Sequence, residues 1–142
     1  MTRIDFYFNA GDKTEFACRI AAKAFRQDMR VAVFAPDEAS ARKVDQLLWL
    51  APATGFVPHC RSTSSVARET PVVIAMTPDA LPEAEALINL DGQPPAVFGR
   101  FPRLVEIVSG DDADKAAART RFRFYRDQGY EIVNHDLAAK EA

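Results

Sequence analysis

The spacing of apolar and polar positions switches repeatedly between two periods. Residues 4–8, IDFYF, form a short, mostly apolar run that predicts a first strand. From about Asp12 to Asp28 the period lengthens: Phe16, Ala17, Ile20 and Ala24 recur at helical spacings of one, three and four. RVAVFA at 30–35 predicts a second strand, apolar nearly throughout, as suits a strand covered on both faces. Pro36 ends it, and Asp37 is placed to cap a helix running to about Leu50 with Ala41, Val44, Leu47 and Leu48 inward.

The middle is less regular. Residues 51–70, with their prolines, glycine and Ser/Thr cluster, read as loop. PVVIAM at 71–76 and EALINL at 85–90 predict strands, and three prolines and two glycines make 91–103 an extended connector. LVEIV at 104–108 predicts another strand, followed by a long helix from about Asp111 to Gln128 that Gly129 ends. YEIVNHDL at 130–137 can add a last strand, fraying into a tail over 135–142. Alternation at both ends around a strand-rich middle predicts one α/β domain over residues 1–142, a sandwich with a mainly parallel sheet that admits mixed pairing.

Composition narrows the function. The 142 residues are 27% charged with a net charge of -2, so the surface as a whole is not built to coat nucleic acid. Cys18 and Cys60 have neither disulfide nor metal-ligand spacing, and read as reduced thiols of a cytoplasmic protein. Neither a signal peptide nor an apolar run long enough to span a membrane stands out.

One stretch imitates a nucleotide site. NAGDKTEF at 9–16 follows a strand and opens a helix, and its Gly-Asp-Lys-Thr at 11–14 resembles a phosphate loop. A loop of that type needs glycine before the lysine and five residues earlier; Asp12 and Tyr7 stand there, and Asp12 would repel phosphate. A capping role suffices: Asp12 can accept from the Glu15 amide while Glu15 reaches back, with Gly11 allowing the turn. Asp91 in ALINLDG is a lone turn carboxylate, and His59, Cys60, Ser62, Ser64 and Ser65 lack any catalytic context. No catalytic residue, metal site or cofactor is expected, and the chain reads as a binding protein.

Two features point to binding. On the last helix, Lys115, Arg119, Phe122 and Arg126 share a stripe, whereas Ala117, Ala118, Phe124 and Tyr125 read as the core side. An aromatic ring among cations suits a short acidic peptide with an apolar residue or free carboxylate, or single-stranded nucleic acid stacking on the ring. Trp49 lies off the inner stripe of the second helix, and with Phe56 and Val57 forms either local core or an apolar patch for a partner.

FYF near the start, LLWLAPATGFVPH at 47–59, INLDGQPP at 88–95, FPRLVEIV at 101–108 and ARTRFRFYRDQGY at 118–130 together resemble the chi-subunit family of bacterial DNA polymerase III. The resemblance implies a Rossmann-like three-layer α/β sandwich that uses no nucleotide, and a non-catalytic accessory of the clamp loader in the cytoplasmic replisome. It implies one-to-one pairing with the psi subunit, which tethers chi to the clamp loader, or with an iron–sulfur helicase through the same surface. It further implies binding of the acidic C-terminal tail of single-stranded DNA-binding protein (SSB), so that contact with single-stranded DNA is mainly indirect. The tail pocket falls on Val108, Lys115, Arg119 and Phe122, where tyrosine is common in the family at the last position. The psi or helicase surface falls on Trp49 and Phe56, with Val57, Pro58 and His59 nearby. Alternatives from the residues alone are a nucleotide-binding domain using the 11–14 loop and a direct single-strand binder.

Overall fold

A computed structural model describes residues 1–50 and 56–140. The described strands are β1 (Arg3–Ala10), β2 (Val31–Phe34), β3 (His59–Arg61), β4 (Val72–Ala75), β5 (Ala86–Asn89), β6 (Arg103–Ser109) and β7 (Glu131–Asp136). They form one sheet in the order β3-β4-β2-β5-β6-β1-β7, with every adjacent pair parallel. Among the described strands the mainly parallel sheet expected from sequence is parallel in every pair, with no mixed pairing. Each connection between the described strands is a crossover through a helix or a long loop, and a tight hairpin is the device that would reverse a strand. The short strand β3 falls inside the stretch read as loop, where its three residues lack the apolar run that marks the central strands.

Helices α1 (Lys13–Arg26) and α2 (Glu38–Leu50) cover one face of the sheet, and α3 (Asp112–Asp127) packs on the other. The α/β sandwich is thus three-layered. The first core joins Ala17, Cys18 and Ala21 of α1 and Ala41, Val44 and Leu48 of α2 to Val31, Val33, Val105 and Ile107 of the strands. The second joins Ala118 and Tyr125 of α3 to Ile4, Phe6, Leu104 and Val108. The split follows from the two-residue period of a strand: Ile4 and Phe6 face α3, and Tyr7 faces α1. Cys18 packs as a small apolar residue, and burial first, then the nearby Asp12 and Glu15, pushes its thiol up to about 12.

The helix ends explain the boundaries. Asp12 Oδ1 accepts from the Glu15 amide at 3.0 Å and Asp37 Oδ1 from the Ser40 amide at 2.8 Å, both as capping chemistry requires. Glu15 does not reach back; its carboxylate takes Arg19, one turn on, at 3.1 Å. The left-handed residue in this loop is Asn9 (φ 63°) rather than Gly11, and it marks the irregularity in the β1–β6 register. Gly129 (φ 85°) closes α3, where the Tyr130 amide donates to the Tyr125 carbonyl at 3.1 Å and the Gly129 amide to Arg126 at 3.0 Å. Asp28 (φ 59°) closes α1 by the same pattern without glycine. At the C-terminal end, His135 and Asp136, assigned to the frayed tail from sequence, finish β7, and Leu137–Lys140 form one helical turn, α4. The loop reading of 51–55 and the tail reading of 141–142 lie outside the described residues.

Candidate functional site

Helix α3 covers the sheet around β6, and the strands beyond it, β1 and β7, continue past its flank. The step between helix and strands is a groove of about 360 Å³ lined by Phe6, Phe8, Asn9, Val108, Lys115, Ala118, Arg119, Phe122 and Asn134. The groove brings together Val108, Lys115, Arg119 and Phe122, all four residues assigned to a tail pocket from sequence. The helix supplies Lys115, Arg119 and Phe122 at spacings of four and three, so they share one flank. Val108 enters from β6 because the parallel register sets it beside Phe8 of β1.

The two helix cations of this groove contrast with several others of the molecule. Elsewhere many surface cations are paired: Lys43 with Asp12 at 3.1 Å, Lys13 with Asp114 at 3.0 Å, and Arg61 with Glu38 at 3.0 Å. Among the described residues neither Lys115 nor Arg119 has a side-chain ion pair or hydrogen bond. Two unpaired cations therefore flank an apolar floor, an arrangement that can take a carboxylate and an apolar side chain together. Phe122 is not detached from the core; its ring is partly buried and tilts against Phe6 with centroids 5.5 Å apart. Arg126 shares the stripe but not the groove, and turns to Asp127 at 3.4 Å.

The inner face of α3 departs from the sequence reading. Phe124, read as core, is 42% exposed, and Arg121 is buried to 1%. Ala118, Arg121 and Tyr125 form the inward stripe at spacings of three and four. Arg121 is accommodated because Glu106 of β6, itself fully buried, meets its Nε at 3.1 Å. The same carboxylate accepts from the Tyr125 hydroxyl at 2.5 Å and the Asn89 amide at 3.0 Å, and Arg121 Nη1 donates to the Gly92 carbonyl at 3.1 Å. Burial raises the Glu106 pKa, with Arg121, Tyr125 and Asn89 pulling less strongly the other way. A glutamate inside the apolar run LVEIV was the available signal, since a buried carboxylate needs a cation or several donors.

The strand side of the groove was missed. Phe6 and Phe8 alternate onto one face of β1, and Asn134 arrives from β7, which the register places beside Phe6. A period-two count of IDFYF would have put both rings on one face, but nothing local indicates that β7 lies next to β1.

The second surface is assembled in part. Trp49 at the end of α2 is 60% exposed and Phe56 is 65% exposed, and their rings lie 5.7 Å apart. The side chain of His59 is fully buried beside Trp49, whose ring meets it edge-on at 4.8 Å, and its Nδ1 donates to the Val57 carbonyl at 2.7 Å. Val57 is buried and belongs to the core, and Pro58 is partly buried. The outward residues are therefore Trp49 and Phe56, joined by Leu50, which is 72% exposed.

In the 9–16 loop the polar side chains of Asp12 and Lys13 are already engaged. Asp12 caps α1 and faces Lys43, and Lys13 is occupied by Asp114.

A family model described as DNA polymerase III chi subunit, HolC, matches residues 1–133. The chain is 37% identical to DNA polymerase III subunit chi of Pseudomonas aeruginosa, over 96% of this chain and 98% of that protein. It is 33% identical to the Haemophilus influenzae subunit chi, over 87% and 86%, and 30% identical to that of Escherichia coli, over 93% and 96%. Among solved structures, the Saccharomyces cerevisiae Dbp5 C-terminal domain bound to Gle1 and IP6 aligns at a TM-score of 0.56 and 14% identity, over 93% of this chain and 90% of that one. A chain in a Dbp5 complex with Nup159, Gle1, IP6 and ADP aligns at 0.61 and 13%, over 96% and 42%. Those two likenesses speak to the fold alone.

Proposed function

The chain belongs to the DNA polymerase III chi subunit family, and we propose that it works there as a non-catalytic adaptor between the clamp loader and SSB-coated DNA. As a chi subunit it is a replication accessory of the polymerase, and in this reading it works in the cytoplasmic replisome. In this reading the groove beside α3 takes the acidic C-terminal tail of SSB. Lys115 and Arg119 meet its carboxylates, while Val108 and Phe122, with Phe6 and Phe8 behind them, accept its apolar end. Trp49 and Phe56 dock the psi subunit, and through it the clamp loader, or an iron–sulfur helicase in its place. Single-stranded DNA is then reached mainly through SSB.

The observation that carries the reading is the pair of unpaired cations on an apolar groove, in a chain whose net charge of -2 gives it no general attraction for acids. The test is titration of a synthetic SSB-tail peptide by fluorescence anisotropy at increasing salt. Saturable binding that weakens with salt is expected. No binding at low salt, or binding of bare single-stranded oligonucleotide in preference to the peptide, sinks it. For the second surface, Phe56→Ala should lose psi on co-purification while still binding the peptide.

A further inference from the structure

The two walls of the groove differ in kind. The helix wall carries the cations Lys115 and Arg119, and the strand wall carries two amides, Asn9 and Asn134. Asn9 is committed: its Nδ2 donates to Asp136 Oδ1 at 2.7 Å. Asn134 is exposed, lines the groove from β7, and has no side-chain hydrogen-bond partner among the described residues. In the sheet order β7 is the last strand, so this wall is also an edge of the sheet.

We propose that Asn134 is a specificity-determining residue of the groove, whose amide hydrogen-bonds the main chain of a bound acidic peptide. The inference rests on the reading of the groove as a peptide site and adds what the cations cannot supply. Lys115 and Arg119 attract any acid, and a charge alone does not distinguish an extended peptide from another anion. A side-chain amide offers a donor and an acceptor together, the complement of a peptide unit's carbonyl and N–H. The partly buried Phe122 ring and the buried Phe6 ring form the apolar floor, with cations along one side and an amide along the other. A peptide whose apolar side chain enters that floor and whose carboxylates face α3 turns its backbone toward β7. Asn134 is exposed, so its replacement leaves the core intact.

The experiment measures affinity for the synthetic SSB-tail peptide over a range of salt, for the full chain and for Asn134→Ala, Asn134→Asp and Arg119→Ala, with melting temperatures as the folding control. Asn134→Ala should weaken binding by about fivefold, the size of one neutral hydrogen bond. It should leave the dependence on salt unchanged, because no charge is lost. Arg119→Ala should lower both affinity and salt dependence, and Asn134→Asp should weaken binding beyond the alanine variant by repelling the acid. Wild-type affinity in Asn134→Ala alongside a loss in Arg119→Ala overturns the role of Asn134 and spares the peptide site. Failure of the unaltered chain to bind the peptide overturns both.

Discussion

Arg119 and Arg121 stand two residues apart on one helix and do opposite things. Arg119 is exposed on the groove flank with no partner among the described residues, whereas Arg121 is buried and held by the Glu106 carboxylate and the Gly92 carbonyl. Two residues on a helix differ by about 200°, so one cation faces solvent and the other the sheet. The difference teaches that an arginine's role is set by what it faces. A cation held by a buried carboxylate fixes how α3 sits on β6, and a cation left unpaired over an apolar floor is available to a ligand. The buried pair is not a sign of high stability, because desolvation offsets most of its Coulomb gain.

The largest effect that would test this contrast is on the inner face. Arg121→Met leaves Glu106 buried without its cation and should cost about 3–5 kcal/mol in urea unfolding. Replacing both partners, Arg121→Met with Glu106→Leu, should recover much of that loss, because no orphaned charge remains. A single variant as stable as the native chain would mean that the pair is not coupled as its geometry implies.

On the outer face the order reverses. Arg119→Ala should lose about 1.5–3 kcal/mol of affinity for the SSB-tail peptide, the size of a charge-assisted hydrogen bond. Its unfolding midpoint should move by no more than ~0.5 kcal/mol, as for a surface substitution. An unfolding loss comparable to that of Arg121→Met would erase the distinction between the faces.

The buried carboxylates sharpen the contrast through pH. Asp5, on the other side of the sheet, is fully buried, which alone would raise its pKa. Hydrogen bonds from His135 and from Arg103 and the charges of Arg103 and Arg3 more than offset this, so its pKa is lowered. Its ionised form favours the fold above the unfolded carboxyl value of about 4, and that contribution fades as pH falls through the lower folded value. Asp5→Asn should therefore flatten the acid limb of a stability–pH curve below about pH 4. Glu106, whose pKa is raised, has the opposite sign: its contribution is present below the unfolded value and lost as pH rises through the folded one. An acid limb unchanged by Asp5→Asn would contradict the downward direction.

The smallest effect belongs to the loop that imitates a phosphate site. Lys13→Ala removes a partly exposed pair with Asp114 and should cost about 0.2–1 kcal/mol. Calorimetry should detect no ATP or GTP binding before or after the change. Saturable nucleotide binding weakened in the variant would reinstate the nucleotide reading.

Local pattern carried further for elements than for faces. The caps at Asp12 and Asp37 and the glycine stop at 129 were legible because capping chemistry acts within a few residues. The left-handed Asn9 and Asp28 were not, since either residue is equally at home in ordinary turns. Lys115, Arg119 and Phe122 could be grouped because helical spacing alone puts them on one stripe. Phe124 was misjudged because hydrophobicity was taken as a guide to burial, and the same guide gave no reason to turn Arg121 inward. The decisive fact, a buried glutamate 15 residues earlier in the chain, acts only through packing. Val57 was left open between local core and apolar patch, and the fold takes it into the core.

The sequence by itself therefore determined the alternation of strands and helices, their caps and the cationic flank of α3. Each depends on backbone periods or contacts within a turn. Only the tertiary structure decided that the sheet is parallel throughout, that Glu106 draws Arg121 inward, and that Phe6, Phe8 and Asn134 complete the groove. These depend on which strands become neighbours: β1 and β7 are parallel partners whose paired residues Phe6 and Asn134 are far apart along the chain. Such pairing is selected by burial over the whole domain, and no local window contains that information.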